Sequence, residues 1–329
     1  MKHSDELLDI EHLTIQYETD DGVVHALNDI SLSMYKGETL GLVGETGAGK
    51  TTLAKGILRL IPSPPGVVKN GSVWFEEKNL LGLSEEQMRD VRGNSISMIF
   101  QDPMTSLNPV MTVGEQIMEV VAAHNKGLGK QEIHDQASTM LEMVGIPSDR
   151  SHEYPHQFSG GMKQRVIIAI ALACNPVLLI ADEPTTALDV TIQAQVLDMI
   201  TELKNRLNTA MLLITHDLGV VAQNCDRVAI IYAGQIVEIG TLQDIFKHPV
   251  HPYTKGLLGS IPSLAKEVKR LSPIKGLMPD PTDLPPGCSF APRCQAVCEA
   301  CKTSVPPATI LSESHQVRCI LAQQEVHHG

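Results

Sequence analysis

Aromatic side chains are scarce in this chain of 329 residues, which has five Tyr, five Phe and one Trp. Any base-stacking site must draw on very few rings. Basic charge is also in deficit, since 26 Lys and Arg against 38 Asp and Glu leave a net charge of −12. A general nucleic-acid binder carries a basic stripe, so that class is disfavoured, while a local cationic phosphate site is not. No long apolar run is present either. The longest, Val166 to Ala181, is too short to span a bilayer and is broken at Asn175-Pro176. It reads as a buried helix followed by a buried strand. Met1 to Glu11 is mixed and acidic with no apolar centre, so no secretory leader is expected. The expectation is a soluble chain that reaches a membrane only through partners. No internal repeat is visible.

What is present is organised in two textures. Up to about residue 248 the pattern is that of an α/β protein. Residues 11 to 43 read as a run of short strands, with alternation at Leu13, Ile15 and Tyr17, then apolar groups at Val23 to Leu27 and at Ile30, Leu32 and Met34. Thr39 to Val43 is an apolar strand. Thr51 to Leu60 reads as a helix stopped by Ile61-Pro62. Met111 to Ala123 and Gln131 to Val144 carry apolar residues at helical spacing. Val177 to Ala181 and Ala210 to Thr215 are short apolar runs of the kind found in buried parallel strands, with a helix at Thr191 to Leu207 between them. From Pro249 onward prolines recur, and five of the seven cysteines (Cys288, Cys294, Cys298, Cys301 and Cys319) fall in the last 42 residues. Without an export signal such a cluster points to metal more than to disulfides. Cys174 and Cys225 are expected to pack as small core residues.

The chemistry is concentrated in three segments. Gly44, Glu45, Thr46, Gly47, Ala48, Gly49, Lys50 and Thr51, followed by Thr52, form a full phosphate-loop pattern between a strand and a helix. The glycines allow backbone N–H groups to face phosphates, the helix start adds its dipole, Lys50 reaches the β- and γ-phosphates, and the Thr51 hydroxyl suits Mg²⁺. The apolar strand from Val177 ends in Asp182 and Glu183. Such a pair serves to hold Mg²⁺ (Asp182) and to polarise an attacking water (Glu183). Between them lies Phe158-Ser159-Gly160-Gly161-Met162-Lys163-Gln164, where Ser-Gly-Gly before an apolar helix makes a second anion-binding helix start.

In this order and spacing the three segments resemble the ATP-binding subunits of ATP-binding-cassette (ABC) transporters. Met162 stands where the commonest signature has Gln, a variant familiar in the peptide and nickel importer branch. The resemblance implies a P-loop NTPase cassette with a RecA-like core, an antiparallel β subdomain and a helical subdomain at about 93–165. It places a nucleotide-binding domain at 1–248 and a proline-rich, cysteine-containing extension at 249–329. It also implies a γ-phosphate contact for His216, a Mg²⁺ or water contact and a reporting role for Gln101, and a coupling role for Asp189. Tyr17 matches the position that stacks on adenine. Ser159, Gly160 and Gly161 would face the nucleotide of an opposing subunit.

Gln101 to Pro109, His251-Pro-Tyr-Thr254 and Leu284-Pro-Pro-Gly-Cys288 resemble the oligopeptide, dipeptide and nickel importer branch. That branch implies ATP and Mg²⁺ as ligands, a second homologous ATPase subunit, two membrane permeases, an extracytoplasmic binding protein, no nucleic acid, and a peripheral place on the cytoplasmic face of the membrane. The expected activity is ATP hydrolysis driving import of di- or oligopeptides, with nickel as the alternative cargo. A non-transport ABC ATPase is a distant second reading, weakened by the single cassette and by the absence of a coiled-coil insertion between Gly44 and Ser159. A kinase-like P-loop enzyme is weaker still. Cys288, Cys294, Cys301 and Cys319 resemble the four-cysteine [4Fe–4S] pattern of some members, while four thiolates also suit zinc. Cys298-x2-Cys301 could instead be a redox pair. A metal here would pin a tail that has little core of its own.

Overall fold

The computed structural model describes residues 5–101, 106–185, 189–260 and 274–322. By internal contacts the chain divides into two compact units, each assembled from separate stretches. One comprises Met1–Glu6, Tyr35–Thr39 and Gly82–Ile214, and the other Leu7–Met34, Leu40–Leu81 and Thr215–Gly329. The residues from 249 onward therefore fall in the same unit as the phosphate loop. No helix among the described residues is long and apolar enough to cross a membrane.

In the first unit, three parallel strands carry the acidic pair: Ile96–Ile99, Leu178–Asp182 and Ala210–Thr215. Leu178–Asp182 lies between the other two, with Ile99 level with Ala181 and Asp182 level with Ile214. Its residues are buried throughout, as the unbroken apolar run requires of a strand covered on both faces. Helices Val113–His124, Lys130–Met143, Gly160–Leu172 and Val190–Leu207 lie in the same unit, as does the shorter Glu85–Val91. Thr112 caps the first through the N–H of Glu115, whose carboxylate returns to the Thr112 N–H, a reciprocal cap that fixes where the helix starts. Asn208, left-handed at φ 54, ends the last.

In the second unit a four-stranded sheet runs in the order Gly22–Tyr35, Glu6–Thr19, Gly66–Phe75, Lys78–Asn79. The expected run of short strands is instead two strands of 14 residues each. Asp29 sits at φ 58 and His12 at φ 51, so each strand bends locally without ending. The remaining strands order as Thr39–Val43, parallel to Arg227–Tyr232, which pairs antiparallel with Gln235–Thr241. Two short strands from the C-terminal region, Gln316–Val317 and Thr309–Ile310, continue this order. The helix after the phosphate loop spans Lys50–Ile57, not to Leu60, because Arg59 adopts φ 52 and turns the chain out of the helix.

Candidate functional site

The phosphate loop is held from beneath by backbone. A Cβ on Gly44 would lie 2.3 Å from the Ile231 carbonyl oxygen, and one on Gly49 would lie 2.6 Å from the Ala26 carbonyl oxygen. Gly49 also needs φ 103 as N-cap of the helix Lys50–Ile57, a conformation open to glycine and costly to other residues. No side chain caps this helix start, so its dipole and N–H groups are presented as an anion site. Lys50 is only 6% exposed. Its ammonium donates to the carbonyl oxygens of Gly44 at 2.8 Å and Glu45 at 3.1 Å, which fixes the charge inside the loop. Thr51 and Thr52 are half-buried in the first turn, and Thr46 and Gly47 are exposed. Tyr17 is half-buried on the strand Glu6–Thr19, opposite Gly66. His216 is exposed directly after the strand Ala210–Thr215, and Asp217 caps the next helix through the N–H groups of Gly219 and Val220.

The acidic half forms at the C-terminal ends of the parallel strands. Asp182 is 1% exposed. Glu183 takes φ 48 and donates its N–H to the Ile214 carbonyl at 2.9 Å, so the chain turns out of the strand here. Because Ile99 is level with Ala181, Gln101 arrives level with Glu183, and its amide donates to the Glu183 carboxylate at 3.3 Å. Residues 102–105 of the expected glutamine loop lie outside the described residues. So do 186–188, before Asp189. Asp189 is the N-cap of Val190–Leu207, accepting from the Ile192 N–H at 3.0 Å. Ser159 caps Gly160–Leu172, with its hydroxyl accepting from the Met162 N–H at 3.4 Å. Gly161 is small for a reason: a Cβ there would meet the Ile192 methyl at 3.0 Å. Gln164, wholly buried in the signature helix, donates to the Pro184 carbonyl just after Glu183. This link between signature helix and acidic turn has no motif-level signal beyond Gln164 sitting inside the signature.

The tail brings Cys288, Cys294, Cys301 and Cys319 to one small cavity of about 10 Å³, with His251, Phe290 and Leu321 also in its wall. Burial pushes the Cys288 thiol up to about 11, and the three other cysteines act in the same direction. Cys298 stands outside this cavity wall, with its sulfur 3.3 Å from that of Cys301. Among the described residues, however, no group of three or more His, Cys, Asp or Glu side chains stands in a metal-holding arrangement. The expected [4Fe–4S] or zinc centre therefore gains convergence of its four thiols and nothing more.

Residues 27–186 match the family described as ABC transporter, and residues 237–301 match the C-terminal region of oligopeptide/dipeptide transporters. The dipeptide transport ATP-binding protein DppD of Bacillus subtilis is 49% identical over 327 residues, covering 99% of this chain and 97% of that protein. The chain belongs to the ABC transporter family. The ABC subunit is also 49% identical to the oligopeptide transport ATP-binding protein AppD of the same organism, over 97% of this chain and 98% of that protein. Among solved structures it resembles dimeric MJ0796, a bacterial ABC transporter cassette, with a TM-score of 0.64, 26% identity, and coverage of 72% of this chain and 99% of that one. As an ABC ATPase it binds and hydrolyses ATP. The C-terminal match covers His251 and the first four tail cysteines. The sequence signals assigned no contact to that region's Tyr253, yet its hydroxyl accepts the Glu45 N–H of the phosphate loop at 3.1 Å.

Proposed function

We propose that this subunit hydrolyses ATP to energise import of di- or oligopeptides through membrane permeases, working with a second, homologous ATPase subunit on the cytoplasmic face of the membrane. The observation that carries the chemistry is the Gln101 amide on the Glu183 carboxylate at 3.3 Å. It holds a candidate general base at the end of a buried strand, beside a residue of the loop that would report to the permease. Lys50, the loop N–H groups and the helix start bind the β- and γ-phosphates. Glu183 takes the proton of the attacking water. His216 contacts the γ-phosphate, and Tyr17 stacks on adenine. Ser159, Gly160 and Gly161 close on the nucleotide of the opposing subunit, with Asp189 beside the joint.

Thr51, Asp182 and Gln101 have the hard oxygen donors that suit Mg²⁺ and would hold it; when bound it would supply charge neutralisation at the transferred phosphate. Peptide cargo is favoured over nickel because the relatives that match almost the whole chain carry peptide-transport names. In the tail, four thiols on one cavity support a [4Fe–4S] centre, with zinc as the alternative, whose part is to staple the segment.

The test is uptake in intact cells. Labelled di- and oligopeptides and labelled nickel are offered to a strain lacking the gene and supplied with either this protein or its Glu183→Gln form. Peptide uptake restored only by the unmutated protein is the expected result. Restoration of nickel uptake alone would replace the cargo, and restoration of neither would remove the importer reading.

A further inference from the structure

Glu45 is an acid inside a loop that must receive a polyanion. Left alone, its carboxylate would repel the triphosphate. The structure supplies a counter-charge from 248 positions away in sequence, in the same compact unit. One terminal nitrogen of Arg293 donates to both Glu45 carboxylate oxygens at 3.0 Å and to the Tyr232 hydroxyl at 3.2 Å. The Arg293 Nε donates to the Lys275 carbonyl at 3.1 Å. The Arg293 side chain is 6% exposed and that of Glu45 31%, so the cationic partner is shielded from solvent while the carboxylate is partly exposed. Phe290 packs edge-on against Tyr232 at 5.2 Å between ring centres and at a tilt against Tyr253 at 5.4 Å. Tyr253 in turn accepts the Glu45 N–H. Both the backbone and the carboxylate of Glu45 are thus held by groups from beyond residue 249.

We infer that Arg293 is a positioning residue for ATP binding: the C-terminal extension completes the phosphate loop by neutralising and orienting Glu45. This rests on the reading of the loop as the ATP site and names a part of that site which the phosphate-loop motif does not contain. Arg293 acts through Glu45 and makes no claim on the reacting atoms, so it governs nucleotide affinity and leaves the hydrolytic step alone.

The experiment titrates the purified full-length chain with a fluorescent ATP analogue in Mg²⁺, and measures KM and kcat for ATP in the assembled transporter. Arg293→Ala is expected to weaken binding about tenfold, the worth of one charge-assisted hydrogen bond, with KM rising in step and kcat within twofold. Arg293→Lys, which keeps the charge without the planar fork, should recover most of the affinity. Adding Glu45→Gln to Arg293→Ala should bring affinity back to within about threefold of the unmutated protein, because the bare carboxylate is gone. A purely structural tail contact would not be rescued in this way. Unchanged affinity in Arg293→Ala, or a double variant as weak as Arg293→Ala, overturns the inference. Should Arg293→Ala fail to fold, Arg293→Gln, which keeps a long polar side chain without the charge, takes its place: affinity equal to that of the unmutated protein overturns the inference. Absence of nucleotide binding by the unmutated protein would remove the ATP-site reading and this inference with it.

Discussion

Acidification should loosen the C-terminal region through one imidazole, His251. This residue opens His-Pro-Tyr-Thr, is 1% exposed and caps the helix Pro252–Gly259 by accepting the Tyr253 N–H at 3.1 Å. The His251 backbone N–H donates to the buried Glu238 carboxylate, which also takes the Val250 N–H and the His315 ring. Burial holds the His251 pKa down to about 4 from its ordinary 6.5; the charge of Glu238 opposes this and Lys255 adds to it. Because the folded value lies below the unfolded one, the unfolded chain takes up the proton first. The stability contribution is complete above about pH 6.5 and is lost as pH falls towards 4. The full interval corresponds to roughly 3 kcal/mol at about 1.4 kcal/mol per pH unit, of which about 2 kcal/mol falls between pH 7 and pH 5. The single tryptophan, Trp74, lies in the same compact unit, so its fluorescence during urea unfolding reads the relevant transition. His251→Asn keeps an N-cap acceptor and removes the titration. Its loss of stability between pH 7 and pH 5 should be smaller than that of the unmutated protein by about 2 kcal/mol. Equal losses in the two proteins would refute the assignment.

Three further outcomes are expected. Glu183→Gln should bind ATP normally and hydrolyse it about 10² to 10⁴-fold more slowly, read by phosphate release against nucleotide retention; normal turnover would remove Glu183 as the base. Gly44→Ala drives a Cβ to 2.3 Å from a backbone oxygen, whereas nothing lies within 4 Å of a Cβ at Gly82; the first should abolish nucleotide binding, and the second should change stability by less than about 0.5 kcal/mol. In anaerobically purified protein, Cys294→Ser should lower bound iron or zinc and Cys298→Ser should not, since Cys298 stands outside the cavity wall formed by the other four; metal-free unmutated protein would end the metal reading of the tail.

The parts of the site that the sequence made legible are those set by short-range constraint. A strand, a glycine turn and a helix start impose residue types within eight positions, so Gly44 to Thr51 stand out as one pattern from the residues alone. The acidic pair and the Ser-Gly-Gly cap were readable for the same reason. Where local conformation departs from the apolar pattern, the reading slipped. Asp29 at φ 58 bends one strand where the pattern suggested two, and Arg59 at φ 52 ends a helix before the proline that was expected to stop it. Long-range partnerships left no trace. Nothing in the spacing ties Arg293 to Glu45, or Gln164 to Pro184, because each side chain is a common surface type until the fold buries it. The four cysteines that the family resemblance singled out line one cavity, but shared lining is not a coordination geometry.

The two short C-terminal strands bear on how the protein can be dissected. Gln235–Thr241 is paired along one side by Arg227–Tyr232, and Gln316–Val317 covers the middle of its other edge, with Glu238 opposite Val317 and the Arg318 N–H on the Val237 carbonyl. The outermost strand is then Thr309–Ile310, only two residues long. A long bare edge is a template for pairing with another chain, and a very short one is a poor template. Cutting the protein at the proline-rich stretch after residue 249 would strip that cover. The product should self-associate through its open edge instead of behaving as an isolated catalytic domain.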